Sequence, residues 1–159
     1  MIAPQAIRQA MSFYRSIGKR PIRLRREVVG HVANRLQAAL QREIIYLIAQ
    51  GVVDVADVDT VISWEPGLRR RIMGPNLLLH LAGGPGGIKH ALEHLGPAMT
   101  TWWRDLGALT ELTPAVKQLL IEGVLKAAAD RSMEELRQER DQLLLRLLLL
   151  RSEREHQAQ

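Results

Sequence analysis

Asn34, Gln37 and Gln41 are uncharged polar residues whose spacing suits contact with a small molecule. We expect a helix over residues 30–50, and this spacing puts the three side chains on one face of it. An exposed helix face usually carries Lys or Glu, whereas side-chain amides both donate and accept hydrogen bonds. The pattern therefore suits close contact with a ligand or another domain, and ordinary polar surface is the alternative.

Arginine is concentrated in two places, at 20–26 and at 69–71. The formal net charge is +5 and the isoelectric point is about 10.2, which leaves nucleic acid, an anionic cofactor or an acidic partner open. The sequence contains no recognisable nucleic-acid recognition motif, so nucleic acid is the least favoured of these partners. Arg69 and Arg70, beside Gly67-Leu68, are candidates for binding phosphate groups of a substrate.

Two motifs suggest catalysis but lack what the chemistry needs. His90 and His94 with Glu93 between them match the H-x-x-E-H pattern of zinc peptidases, but we expect only about two helical turns there and find no third-ligand motif. The segment 83–89 is rich in glycine but fits neither phosphate-loop pattern, so we interpret it as a turn. The chain has no cysteine, which excludes thiolate catalysis and disulfides. We predict no metal site.

Three further features concern packing. Glu43 falls within the apolar arc of the 30–50 helix, and we expect it to pair with an arginine of the 69–71 cluster. Trp102 and Trp103 are adjacent on a helix, so we expect one inside and one at a partner surface. Leucines occupy nearly the whole circumference of the last helix over 143–150. That helix must either cross the core or form a subunit interface.

The chain has 159 residues, of which 47% are hydrophobic and only 4% aromatic. This favours a helical domain over a β-sandwich. No signal peptide or run long enough to span a membrane is evident, so we expect a cytoplasmic protein without membrane contact. Helical spacing and end signals predict helices over 4–17, 30–50, 54–64, 75–81, 88–95, 98–106, 113–129 and 132–155, with one further turn over 68–73.

Residues 21–27 alternate between apolar and basic side chains and predict one short strand. No second strand is evident, and a lone strand cannot satisfy its own backbone groups. It must therefore pair with something outside this sequence or form an extended arm. The fold class is all-α, a multi-helix bundle with a short N-terminal helix and strand. We divide the chain into a linker remnant, 1–28, and a helical domain, 29–159.

The order of motifs resembles the C-terminal domain of the 3-hydroxyacyl-CoA dehydrogenase family, in the branch of lambda-crystallin and carnitine dehydrogenase. The matching residues are Phe13-Tyr14, the Gly18 to Pro21 segment, the Gly30 to Gln37 block with Asn34-Arg35, Val58 to Val61, the Gly67 to Pro75 block, Gly96-Pro97 and Arg140-Asp141. The sequence departs from the family at His31, where Phe is usual, and at Arg70, where an aromatic residue is common. These departures indicate a substrate pocket that differs or has been lost.

The resemblance implies that Asn34 orients the substrate, with Gln37, Gln41, Arg69 and Arg70 as further substrate contacts. The family's catalytic His and Glu and its dinucleotide fingerprint belong to a nucleotide-binding domain that this sequence does not contain. The chain is then a substrate-binding and dimerisation domain that binds no cofactor alone, and NAD belongs to the complete enzyme.

The expected partners are a second copy of the chain, a separate NAD-binding domain or chain, and an acyl-CoA or small hydroxyacid. The alternative is a non-enzymatic helical interaction protein derived from this fold.

Overall fold

The computed structural model describes residues 3–157, with side chains described as far as residue 153. The described residues form eight α-helices and no strand, so the predicted all-α class is confirmed. The helices are α1 (Pro4–Ser16), α2 (Ala33–Ala49), α3 (Val55–Trp64), α4 (Pro66–Ile72), α5 (Pro75–Ala82), α6 (Gly87–Asp105), α7 (Pro114–Ala128) and α8 (Met133–Gln157).

The chain separates into two compact units, the first ending at Leu40 and the second beginning at Gln41. In the first unit, α1 begins with Pro4 at its first turn, where a missing N–H costs nothing. Helix α2 is continuous across the boundary between the units. The division into 1–28 and 29–159 stays a prediction.

The core of the second unit lies where the end of α2 meets α3 and α7. Ile48, Val55 and Val58 are buried there, and partly buried side chains surround them: Ile44, Val53, Ile62, Leu120 and Ala127. A Cβ on Gly123 would overlap the Val55 side chain, so glycine allows α7 to approach α3 closely. In the same unit α4 packs on α3 and α5, and α5 packs on α6.

Three of the predicted helix starts, those of α3, α7 and α8, are confirmed by their caps. The Asp54 carboxylate accepts the Asp57 N–H at 2.9 Å, and the Thr113 hydroxyl accepts the Val116 N–H at 3.4 Å. At α8, the Ser132 hydroxyl accepts the Glu135 N–H, while the Glu135 carboxylate accepts from the Ser132 N–H and O–H. The two hydrogen bonds that this carboxylate accepts lower the pKa of Glu135 below its ordinary value, the Ser132 N–H more than the Ser132 hydroxyl. The charge of Arg131 lowers it further by a smaller amount.

Residues 21–27 form no strand, and the described residues contain no second strand with which they could pair. Pairing outside this sequence and an extended arm both stay predictions. Two helix boundaries also differ. Helix α2 begins at Ala33 rather than Gly30, since Gly30 and His31 have φ of +76° and +50°. Helix α6 continues through Pro97 instead of stopping there, since the φ that proline imposes is itself helical, although the ring removes one hydrogen bond and crowds the carbonyl four residues earlier.

None of the helices in the described part of the chain combines the length and hydropathy that a membrane-spanning segment requires.

Candidate functional site

A tight turn precedes the polar end of α2. The His31 N–H donates to the Val28 carbonyl at 3.0 Å, closing the turn with Gly30 and His31 in the left-handed region. Glycine suits position 30 because of its positive φ, whereas a Cβ there would lie 3.4 Å from the Arg35 backbone N, which is ordinary contact. His31 is the more unusual residue, because a side chain with a Cβ is disfavoured at positive φ. The turn places Asn34 in the first turn of α2.

Asn34, Gln37 and Gln41 all lie on α2 and are all exposed. At about 100° per residue, their spacing places them within about 60° of one another around a helix axis. The Asn34 amide has no hydrogen-bond partner among residues whose side chains the structure describes. The amides are therefore free to meet a molecule from outside. Their assignment as substrate contacts stays a prediction.

Arg69 and Arg70 line a groove between α4 and α5. The groove combines these two guanidinium groups with an apolar wall, made by Pro66, Pro75, Leu78, Leu79, Leu81 and Ala82. Arg69 is held by Glu65 one turn earlier, with 3.3 Å between Nη1 and Oε2, and both side chains are more than 60% exposed. Such a pair contributes little to stability. The groove can accept an anion attached to an apolar group.

Within the second unit, no hydrogen bond between described residues joins Gln41 to Arg69 or Arg70. The structure thus brings the two arginines together in one groove, and it places the three amides on another helix. Their joint contact with one substrate is an expectation.

The predicted ion pair between Glu43 and the 69–71 arginines is wrong. Glu43 instead accepts the backbone N–H of Gly107 through Oε2 at 2.8 Å. Glu43 is half-buried and Gly107 is buried. A Cβ on Gly107 would overlap the Tyr46 ring, so glycine lets the chain after α6 lie directly against α2. The carboxylate has a structural partner, as expected, but that partner is a backbone amide 64 positions away.

The histidines near α6 form no metal site in the described part of the chain, where no group of three or more metal-ligating side chains occurs. His90 and His94 are exposed, with ring centroids 6.1 Å apart and nearly parallel planes. The 83–87 segment is a turn, as predicted, containing a 3-10 turn over Gly84–Gly86.

Many large apolar side chains are exposed to solvent, including those of two tryptophans and several leucines of α8. We expected one tryptophan inside, but Trp102 and Trp103 are 59% and 62% exposed, so neither is buried. Helix α8 does not cross the core, because six of its leucines are exposed: Leu143, Leu144, Leu145, Leu148, Leu149 and Leu150. The alternative for this helix, a subunit interface, stays open.

Sequence reasoning missed three residues that join separate parts of the structure. His80 bonds to the start of α6, Arg131 bonds to the Ala127 and Ala128 carbonyls and to Glu139, and Arg151 donates to the Arg71 carbonyl at 3.4 Å. A histidine just before a glycine turn and an arginine after a helix end are weak signals by themselves. Their partners are mostly backbone groups, which are the same in nearly every residue type and therefore cannot be predicted from the pattern of side chains.

Comparison with known proteins agrees with this architecture. Residues 30–122 match the family described as 3-hydroxyacyl-CoA dehydrogenase, C-terminal domain. The chain is 44% identical to an L-carnitine dehydrogenase of Streptomyces griseus over 146 residues, covering 92% of this chain and 43% of that protein. It is 40% identical to an L-carnitine dehydrogenase of Bacillus cereus over 148 residues, covering 93% of this chain and 45% of that protein.

The chain therefore spans less than half the length of these curated relatives. The family match covers more than half of the chain and includes α2 to α6 entirely. The chain belongs to the family of 3-hydroxyacyl-CoA dehydrogenase C-terminal domains.

Proposed function

We propose that this chain is the substrate-binding and dimerisation domain of an NAD-dependent 3-hydroxyacyl-CoA or related 3-hydroxyacid dehydrogenase. The observation that carries the proposal is the similarity to L-carnitine dehydrogenases over more than nine-tenths of the chain. L-Carnitine is therefore a candidate substrate, beside acyl-CoA compounds. A cytoplasmic location is part of the same proposal.

Hydride transfer requires residues beyond those of this chain. The sequence contains no G-x-G-x-x-G motif, and the described residues contain no strand that could precede one. We therefore assign NAD binding, together with the catalytic His and Glu of the family, to a nucleotide-binding domain or chain that acts with this one. The 159 residues alone should give no steady-state oxidation of NADH.

Substrate contact is assigned to Asn34, Gln37 and Gln41 on α2 and to Arg69 and Arg70 in the α4–α5 groove. The amides suit a hydroxyl or carbonyl oxygen, because they can donate and accept. The guanidinium groups suit a carboxylate or phosphate, and the apolar wall beside them suits a hydrocarbon portion. Arg70 is exposed and Arg69 is held by Glu65, so Arg70 is the more available of the two.

Dimerisation is supported by the exposed leucines of α8. Six of them are exposed: Leu143, Leu144, Leu145, Leu148, Leu149 and Leu150. Clustered exposed apolar side chains of this kind are typical of interaction surfaces. We assign them to contact with a second copy.

Sedimentation equilibrium tests the dimer. The wild-type chain should have twice its mass of 17.9 kDa. Leu145 and Leu149 are 61% and 63% exposed and one turn apart, so Leu145→Glu with Leu149→Glu should give a monomer. Gln142→Glu, an exposed polar change on the same helix, is the matched control and should stay dimeric. A wild-type monomer would refute the dimer assignment.

Isothermal titration with acetoacetyl-CoA and with L-carnitine tests ligand binding. Arg70→Gln should weaken binding of the anionic ligand about tenfold or more, since it removes a charge-assisted hydrogen bond. Arg71→Gln removes the same charge outside the groove and should have little effect. Equal losses from both variants would contradict the groove. An intact dimer without saturable binding of either ligand would instead support the non-enzymatic interaction protein.

A further inference from the structure

Two histidines that the proposed function does not use hold the corner between α5 and α6. The backbone N–H of Ile88, at the start of α6, donates to Nδ1 of His80 at 3.0 Å. Nδ1 of His90 lies 3.1 Å from the carbonyl oxygen of Gly83, which follows the end of α5. Each helix thus sends one side chain to the backbone at the end of the other.

The backbone at this corner fits the His80 ring closely. Gly87 has φ of +58°, and a Cβ there would lie 2.5 Å from Cε1 of His80. A Cβ on Gly83 would overlap the Gly87 carbonyl, and Ala91 is only 2% exposed. The two helices therefore meet through small residues, and the ring of His80 rests directly on the Gly87 backbone.

The two hydrogen bonds respond differently to acid. His80 accepts from an N–H, so its Nδ1 must carry a lone pair, and the proton of the neutral ring sits on Nε2. A second proton would place N–H against N–H and abolish the bond. His90 faces a carbonyl oxygen, which can only accept, so His90 donates through Nδ1–H whether neutral or charged.

Charged and titratable groups lie on the helices that meet at this corner. Helix α6 brings Lys89, His90 and Glu93 to the pocket at this turn, with His94 stacked on His90. Helix α4, packed against α5, contributes Arg69 and Arg70 to the groove along α5. Glu93 is the carboxylate that α6 brings to this pocket, and Glu65, just before α4, is paired with Arg69.

We propose that the α5–α6 corner is a latch operated by the protonation of His80. The neutral ring holds the first turn of α6 to the end of α5 through the Ile88 N–H, and a proton on Nδ1 abolishes that hydrogen bond. Ala82 lines both this corner and the Arg69–Arg70 groove, so the latch borders the groove without depending on the function assigned to it.

The tautomer of His80 gives the first test. Long-range ¹H–¹⁵N correlation spectra of the full chain at about pH 8 should show Nδ1 of His80 unprotonated and Nε2 protonated. His90 should show the opposite tautomer, with Nδ1 protonated. A His80 ring protonated at Nδ1 under these conditions would overturn the proposal, because such a ring cannot accept the Ile88 N–H.

The pH dependence of unfolding gives the second test. His80→Asn places an amide oxygen near the Nδ1 position, so it keeps an acceptor that does not titrate. Between about pH 8 and pH 5 the unfolding equilibrium constant of the wild type should rise about 2- to 10-fold more than that of His80→Asn, the range expected for losing one hydrogen bond. His94→Gln, which removes the stacked neighbour, should keep the wild-type dependence. Equal dependence in wild type and His80→Asn, or its loss in His94→Gln, would overturn the latch.

Discussion

Replacing Glu43 by alanine should destabilise the second unit, because it leaves the buried Gly107 N–H without an acceptor. The bond joins α2 to the chain after α6 at 2.8 Å. A hydrogen bond to a charged group is worth about 1.5–3 kcal/mol, and an unpaired buried donor costs about as much. Since Glu43 is only half-buried, water recovers part of the loss. We expect Glu43→Ala to lower the free energy of unfolding by about 1–2 kcal/mol.

Glu43→Gln separates the role of acceptor from the role of charge. The glutamine carbonyl oxygen can still accept the Gly107 N–H, so we expect this variant to lose only about 0.5–1 kcal/mol, the difference between a charged and a neutral acceptor. Were Glu43 paired with an arginine instead, glutamine would cost as much as alanine. The ratio of the two losses therefore distinguishes the observed bond from an ion pair.

Urea unfolding followed by far-ultraviolet circular dichroism measures the effect, since the described residues are mostly helical. With an m-value of about 2 kcal/mol per M, the midpoint of Glu43→Ala should fall by roughly 0.5–1 M. Glu65→Ala, which removes the exposed partner of Arg69, is the control and should shift the midpoint by less than about 0.3 M. A Glu43→Ala midpoint no lower than that of Glu65→Ala would refute the reasoning.

Three further changes test other parts of the structure by the same unfolding assay. Ala129 has φ of +46°, so Ala129→Gly should stabilise the chain by about 0.5–1 kcal/mol, and a loss of stability would show that the turn after α7 is not left-handed. Gly87→Ala should cost about 2–4 kcal/mol through positive φ and contact with His80, and an unchanged stability would contradict the close fit of the ring on this backbone. The lowered pKa of Glu135 means that its stabilising effect is present above its ordinary pKa of 4.5 and is lost as pH falls, so Glu135→Gln should lose less stability between about pH 7 and pH 3 than wild type does.

The start of a helix could be predicted where the sequence contains a capping residue. Asp54, Thr113 and Ser132 are cap residues that bond within their own first turn, and all three helices start where these residues predict. Pro97 misled the prediction, because its ring fixes a φ that a helix also uses. The 21–27 alternation gives no strand among the described residues, since a strand exists only with a partner strand.

The candidate site could be predicted only in part. The type and spacing of Asn34, Gln37 and Gln41 predict that they share one helix, and α2 contains all three. The groove at Arg69 and Arg70 depends on how α5 packs against α4, which spacing within one helix does not reveal. Glu43 accepts the backbone N–H of Gly107, which follows α6. His80 accepts the backbone N–H of Ile88, at the start of α6. Every residue but proline carries such a donor, so composition cannot single them out.

A chimeric enzyme tests the central claim most directly. This chain would replace the 146 matched residues of the Streptomyces griseus L-carnitine dehydrogenase, which would supply the rest of the protein. We predict NAD-dependent oxidation of L-carnitine or of a 3-hydroxyacyl-CoA by the chimera, and a rate at least about tenfold lower in its Asn34→Ala variant, as expected when a substrate-positioning hydrogen bond is lost. A folded chimera that binds NAD but oxidises neither substrate would contradict the assignment of this chain as a substrate-binding domain.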